Sequence, residues 1–210
     1  MAITLTWLGH ATFRLSDDRI IYIDPWKVAR AETADVVIVS HEHFDHLSPE
    51  DVAKLQGPNT VVVTTPDCAG KIRQGQVRTL TPGGKVEVAG VSIYGVPAYN
   101  IGKRFHPQAN NWLGVVVEWE GRRIYYAGDT DLVPEMEQLE DIDVGLFPVG
   151  GTYTMNAQEA AQAAAKVGCK LAIPYHWGDI VGSRADAERF AQAWTGEAKI
   201  LNPGESLTLP

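Results

Sequence analysis

Apolar and polar residues alternate with a period of two through residues 3–7, the pattern of a strand with one buried face. Residues 12–15 and 19–23 flank Ser16-Asp17-Asp18, which predicts a hairpin. Asp24-Pro25-Trp26 ends the second of these strands, because proline cannot continue a ladder. Residues 36–39 and 60–63 are unbroken β-branched runs that predict fully buried strands. Between them lies a helix over 49–56, with Ser48 as N-cap, Pro49 at the first helical position and Asp51 near the reciprocal capping position. Shorter strands follow at 77–80, 85–88 and 91–96, separated by Pro82-Gly83-Gly84 and Gly90.

The second half keeps the same rhythm. Residues 114–119 and 122–126 form a hairpin about Glu120-Gly121, and 144–147 is a further strand. The Ala-rich run 157–167 is a helix capped by Asn156 and stopped near Gly168. Residues 171–173 are a strand that Pro174 should end, 184–194 a second helix, and 206–208 a last strand. Hairpins interrupted by helices that return to buried strands imply an α/β fold, two mixed sheets face to face with helices on the outer faces. The expected architecture is a four-layer αββα sandwich, and the lack of a linker or repeat predicts one domain over 1–210.

Composition narrows the function. The chain is 45% hydrophobic and 21% charged with a net charge of -8, which disfavours nonspecific binding to nucleic acid or an anionic membrane. Its two cysteines, Cys68 and Cys169, are far apart, so neither a disulfide framework nor a CxxC zinc site is expected. No signal peptide or spanning segment is visible, and a cytoplasmic location is expected.

Candidate chemistry gathers in Ser40-His41-Glu42-His43-Phe44-Asp45-His46-Leu47-Ser48, between the 36–39 strand and the following helix. Three of the six histidines fall here, and His41, His43, Asp45 and His46 can all bind a metal. In an extended loop, alternation puts His41, His43 and Asp45 on one side and His46 on the other. The helical HExxH arrangement does not apply, because Asp45 stands where the second histidine belongs. A cysteine-rich structural zinc site is excluded by the absence of a nearby cysteine. Hard and borderline donors without thiolate suit Zn, Mn or Fe alike, and zinc is the first expectation.

The order His41-x-His43-x-Asp45-His46, then Gly128-Asp129-Thr130, then His176 after a strand, resembles the metallo-β-lactamase superfamily of hydrolases over essentially the full chain. Trp7-Leu8-Gly9-His10-Ala11 and Gly150-Gly151-Thr152-Tyr153-Thr154-Met155 resemble its small, cap-less metal-dependent hydrolase branch, related to sugar-acid lactonases and to the phospholipase D acting on N-acyl-ethanolamine phospholipids. The resemblance implies the metallo-β-lactamase fold and a binuclear site. His41 and His43 would bind one metal ion, Asp45, His46 and His176 the other, with Asp129 bridging. The first ion needs a third ligand, for which His106 is preferred over Asn100 by its spacing to Asp129 and by the better ligand character of imidazole. Position 126 is Tyr where relatives of this branch often carry His.

The implied activity is hydrolysis of a small ester, lactone or phosphodiester by a metal-bound hydroxide, with Asp45 as the catalytic group that orients the nucleophile or relays its proton. His10, Asn100, Lys103 and Tyr153 are candidates for contact with substrate or support of the ligands, and Trp26, Trp112 and Trp177 for pocket walls. Expected partners are a small-molecule substrate and no nucleic acid or membrane, with homo-oligomerisation left open. The alternatives are a nuclease or RNA-processing enzyme on the same fold, a di-iron oxygen-reducing protein, which would place a carboxylate at position 43, and a non-catalytic metal-binding protein.

Overall fold

Val36–Val39 and Val61–Thr64 are buried at every position, and they form the middle of a parallel run whose side chains pack alternately above and below the sheet. The structure is a computed structural model that describes residues 2–209; Met1 and Pro210, the two ends of the expected 1–210 unit, lie outside the described residues.

The first sheet contains β1 (Thr4–Gly9), β2 (Thr12–Ser16), β3 (Ile20–Ile23), β4 (Val36–Val39), β5 (Val61–Thr64), β6 (Gln76–Thr79) and the late β14 (Ser206–Thr208). Its order is β14-β1-β2-β3-β4-β5-β6, antiparallel up to β3 and parallel from β3 to β6. The second sheet contains β7 (Lys85–Val88), β8 (Val91–Pro97), β9 (Leu113–Trp119), β10 (Arg122–Tyr126), β11 (Val144–Pro148), β12 (Leu171–Tyr175) and β13 (Glu197–Ala198). Its order is β13-β12-β11-β10-β9-β8-β7, again half antiparallel and half parallel. These are the two mixed sheets expected from the pattern.

Alternation sorts the side chains between layers. Val36 and Ile38 join Leu5, Phe13, Ile21, Val115, Val117 and Ile124 in the core between the sheets. Val37 and Val39 face outward against Val52 and Leu55 of α1 (Pro49–Leu55), and burying those two side chains stabilises the helix by about 1.5–3 kcal/mol each. Ser48 caps α1 by accepting the Asp51 N–H. Over the second sheet, α3 (Ala157–Val167) buries Ala160, Ala163, Ala164 and Val167, and α4 (Arg184–Ala193) buries Ala187 and Phe190. Asn156 and Glu159 close a reciprocal cap on α3, and Gly168 ends it in the left-handed region. A one-turn helix, α2 (Pro66–Ala69), and short 3-10 turns at Gln108–Asn110 and Pro134–Gln138 carry no periodic signal in the sequence.

Pro174 does not end its strand as expected. Odd-numbered residues of β12 bond to β11, as in the Leu171 N–H to Asp143 and the Val149 N–H to Tyr175, while Ala172 accepts from Lys199 on the opposite side. Pro174 therefore points its missing N–H past the end of β13, which pairs only with Leu171 and Ala172, so no ladder bond is lost.

The strands that run in parallel end on one edge, and the polar ligand-type residues follow them. His10 follows β1, Asp24 β3, His41 β4, Asp129 β10 and His176 β12, the position where open α/β sheets collect ligands.

Candidate metal centre

His41 begins the loop after β4, but the loop is not extended. The His43 carbonyl accepts both the His46 N–H at 2.9 Å and the Leu47 N–H at 2.8 Å, so the chain turns tightly. The turn carries Asp45 to the same side as His46 and away from His41 and His43, which corrects the extended-loop alternation. Two clusters face the opening, each with its donor atoms within 4.8 Å of one another: His41, His43 and His106, and beside them His10, Asp45, His46 and His176; Asp24 with His41 and His46 meets the same distance behind them.

Asp129 stands between the two. Its Oδ2 lies 3.2 Å from the Nε2 of both His106 and His176, and its Oδ1 lies 3.3 Å from His46 Nε2. Gly128 makes this placement: its φ is +70°, and a Cβ there would sit 2.4 Å from the Leu113 carbonyl oxygen. The close approach of β9 to this turn continues across the sheets, where the Leu113 N–H donates to the Ser40 carbonyl at 3.2 Å.

The imidazoles are aimed from behind. Asp24, fully buried, accepts the Ser40 hydroxyl and His46 Nδ1 at 2.6 Å, the Ser40 N–H at 2.7 Å and the Tyr126 hydroxyl at 2.7 Å. Ser40 directs its only hydroxyl proton to Asp24, so at 2.9 Å it accepts the His41 Nδ1–H. Asn100 Oδ1 accepts the His106 backbone N–H at 3.0 Å and its Nδ1–H at 3.1 Å. All three contacts occupy Nδ1 and leave Nε2 facing the cluster, where a neutral imidazole can bind a metal. Asn100 and His106 are thus coupled: the histidine reaches the centre and the asparagine holds it. Tyr126 takes up the Asp24 network through its hydroxyl.

Neither Asp24 nor Ser40 was singled out by the sequence pattern. An acidic residue closing the buried run Ile20-Ile21-Tyr22-Ile23 is the signal that points to Asp24.

Lys103 is not brought to the cluster. Its ammonium donates to Asp131 Oδ1 at 2.6 Å and to the Thr154 carbonyl at 2.8 Å, tying two loops together. Tyr153 lines a cavity of about 240 Å³ over the cluster, with Phe44, Phe105 and Ile180. Trp26 and Trp177 instead wall a second cavity of about 220 Å³ behind His10. Trp112 packs at a tilt beside His41 with centroids 4.9 Å apart and donates its indole N–H to Asp67. His10 packs its ring 4.1 Å from that of His176, and its Nε2 lies 2.8 Å from Asp45 Oδ2.

Burial and charge act against each other in the cluster. Burial pushes the His46 imidazole down, but the charges of Asp129 and Asp24 more than reverse this and lift its pKa well above the ordinary value. Burial, aided by repulsion from His46, holds His41 well below it. Burial raises Asp129, yet His176 and His46 bring it well below the usual carboxylate range. Asp45 is raised by burial and lowered further by the His10 hydrogen bond and the His46 charge, so it stays ionised at neutral pH.

The donor set fits a cation. His46 Nε2, His106 Nε2, His176 Nε2 and Asp129 Oδ1 are buried without an aligned hydrogen-bond partner, despite separations near 3.2 Å. Each such group is disfavoured by about 1–3 kcal/mol, and a cation on the converging lone pairs removes the penalty.

Known proteins resemble this chain in sequence and in fold. The family model described as a beta-lactamase superfamily domain matches residues 4–176. A metal-dependent hydrolase of Pyrococcus abyssi is 33% identical, covering 99% of this chain and all of the relative. A solved Parabacteroides distasonis protein is 30% identical with a TM-score of 0.83, covering 94% of this chain and 92% of that one. A metallo hydrolase of Ignicoccus hospitalis shares the fold at 23% identity, with a TM-score of 0.83 over 100% of this chain and 99% of its own.

Proposed function

Because the chain belongs to the beta-lactamase superfamily and is a metal-dependent hydrolase, we propose that it works with two divalent transition-metal ions, zinc foremost, on a small ester, lactone or phosphodiester. The observation that carries the reading is the set of buried, unpartnered donor atoms on His46, His106 and His176, drawn from both histidine-rich clusters, and on Asp129 between them. His41, His43 and His106 would hold one ion, Asp45, His46 and His176 the other, and Asp129 would reach both. When bound, such ions supply Lewis acidity at the scissile oxygen and lower the pKa of water toward about 7.

The chain's own residues do the rest. Asp45 is ionised and held by His10, so it can orient the attacking water and take up its proton. Asp24, Ser40 and Asn100 keep the Nδ1 positions of His46, His41 and His106 engaged, so the rings cannot turn away. The cavity walls of Phe44, Phe105, Tyr153 and Ile180 limit water around the bound substrate.

The acidic balance of the chain supports a small-molecule substrate over nucleic acid, and no helix among the described residues is long and apolar enough to cross a membrane. Metal analysis of protein loaded to saturation should return two equivalents, and less than one would overturn the binuclear assignment. Asp45→Ala should lower hydrolysis of generic esters, lactones or bis-phosphodiesters by about 10²–10⁴-fold. Undiminished turnover by that variant would remove Asp45 from the mechanism.

A further inference from the structure

Among the described residues, the large apolar side chains left exposed are Phe44, Ile101, Phe105 and Ile180, at 67%, 57%, 40% and 40% exposure. Scattered single exposures would need no explanation, but three of these four gather. Phe44, Phe105 and Ile180 line the cavity over the metal cluster, and Ile101 precedes Phe105 in the same loop. Three separate segments contribute: the loop after β4, the loop after β8 and the loop after β12. The aromatic rings are braced by their neighbours. Phe44 packs edge-on to Trp26 at 5.9 Å, and Phe105 to Tyr153 at 4.8 Å. Hydrophobic side chains are thus held in water at one place, directly above a polar floor of His43, Asp45, His106, Asp129 and His176.

No lysine or arginine lines this cavity. Lys103, which stands two positions before Phe105, is paired with Asp131, and Tyr153 is the one polar side chain of the wall, so the wall supplies a phosphate no positive charge beyond that of a bound cation. Resting on the hydrolase reading, we propose that the substrate is a neutral ester or lactone bearing a hydrocarbon group that lies against Phe44, Phe105 and Ile180. The scissile carbonyl faces the floor and the chain runs outward along the rim.

The test uses the metal-loaded protein and a homologous series of esters and lactones that differ only in alkyl chain length. The specificity constant kcat/KM should rise by up to about four-fold for each methylene that becomes buried, then level off where the chain clears the mouth. Phe105→Ser and Ile180→Ser should flatten that slope. Binding of matching methyl ketones, which cannot be hydrolysed, to the metal-free protein should show the same trend by NMR titration.

Hydrolysis that is indifferent to chain length would overturn the inference while leaving the hydrolase reading intact. Ketone binding that strengthens with chain length, without hydrolysis of any ester or lactone, would instead support the apolar site and count against the reaction. Faster turnover of bis-phosphodiesters than of every neutral ester would also overturn it. So would capture by phosphatidylcholine vesicles that depends on Phe44 and Ile180 when soluble esters show no chain-length effect, since the rim would then be a membrane contact.

Discussion

Asp24→Asn isolates the residue that holds the centre from behind. The substitution keeps the size of the side chain but replaces one acceptor oxygen with an NH₂ donor. In the native protein both oxygens accept: Oδ1 from the Ser40 N–H, and Oδ2 from the Ser40 hydroxyl, His46 Nδ1 and the Tyr126 hydroxyl. Either orientation of the amide therefore sets donor against donor in a fully buried position. Removing one partner of a buried charged pair destabilises by about 3–5 kcal/mol. For a chain of this size that lowers Tm by roughly 6–20 °C in the metal-free protein. Metal affinity should fall by about 10–100-fold, because His46 loses the contact that fixes its ring. Thermal denaturation of the metal-free protein and a competition titration against a chelator measure the two effects. Tyr126→Phe is the control: it removes one of four donors and should lower stability by only about 1 kcal/mol. Unchanged Tm and metal affinity in Asp24→Asn would refute the role given to this carboxylate.

Three further outcomes follow from the geometry. His106→Ala should lose one metal equivalent, while Asn100→Ala should retain both at about 10–100-fold weaker affinity; full retention by His106→Ala would remove it from the centre. His46, lifted well above the ordinary histidine pKa in the metal-free protein, carries a proton at neutral pH that a cation must displace. Calorimetry in buffers of different ionisation enthalpy should detect release of about one proton or more on loading at neutral pH, and none would contradict the assignment. The sign for stability follows: a raised folded-state pKa stabilises the metal-free protein below the unfolded histidine value, and that contribution is lost as pH climbs through the raised value. Gly128→Ala forces a Cβ to 2.4 Å from the Leu113 oxygen at φ +70°, and a loss of about 2–4 kcal/mol should appear in denaturant unfolding.

Much of this molecule can be read from local pattern. The β-branched runs of β4 and β5, the Ser48-Pro49 helix start and the Asn156–Glu159 cap are each determined within a few residues, so sequence and structure agree there. The features that escape are those decided across the chain. Pro174 stays in its strand because a neighbour in the sheet has already ended, which is invisible from position 174 itself. The turn at 43–47 contains no glycine, so local preference does not reveal it, and it alone decides which side Asp45 takes. Asp24 reads locally as a strand stop before proline; its partners Ser40, His46 and Tyr126 lie 16, 22 and 102 positions away. Lys103 reads as a free cation until its partner Asp131 is seen beside it.

His10, Asp24 and His176 all adopt positive φ values, of 47°, 45° and 63°, although none is glycine. A side chain in that region costs roughly 1–2 kcal/mol per residue, which glycine would avoid. At each of these positions an imidazole or a carboxylate is therefore maintained against the preference of its own backbone. The strands up to that edge follow what the chain favours, and the residues just beyond it do not. Folding stability and chemistry pull apart at these turns to different degrees: at Asp24 the four buried hydrogen bonds outweigh the backbone cost, whereas at His10 and His176, each with an unpartnered Nδ1, glycine would relieve the backbone and remove a group from the centre.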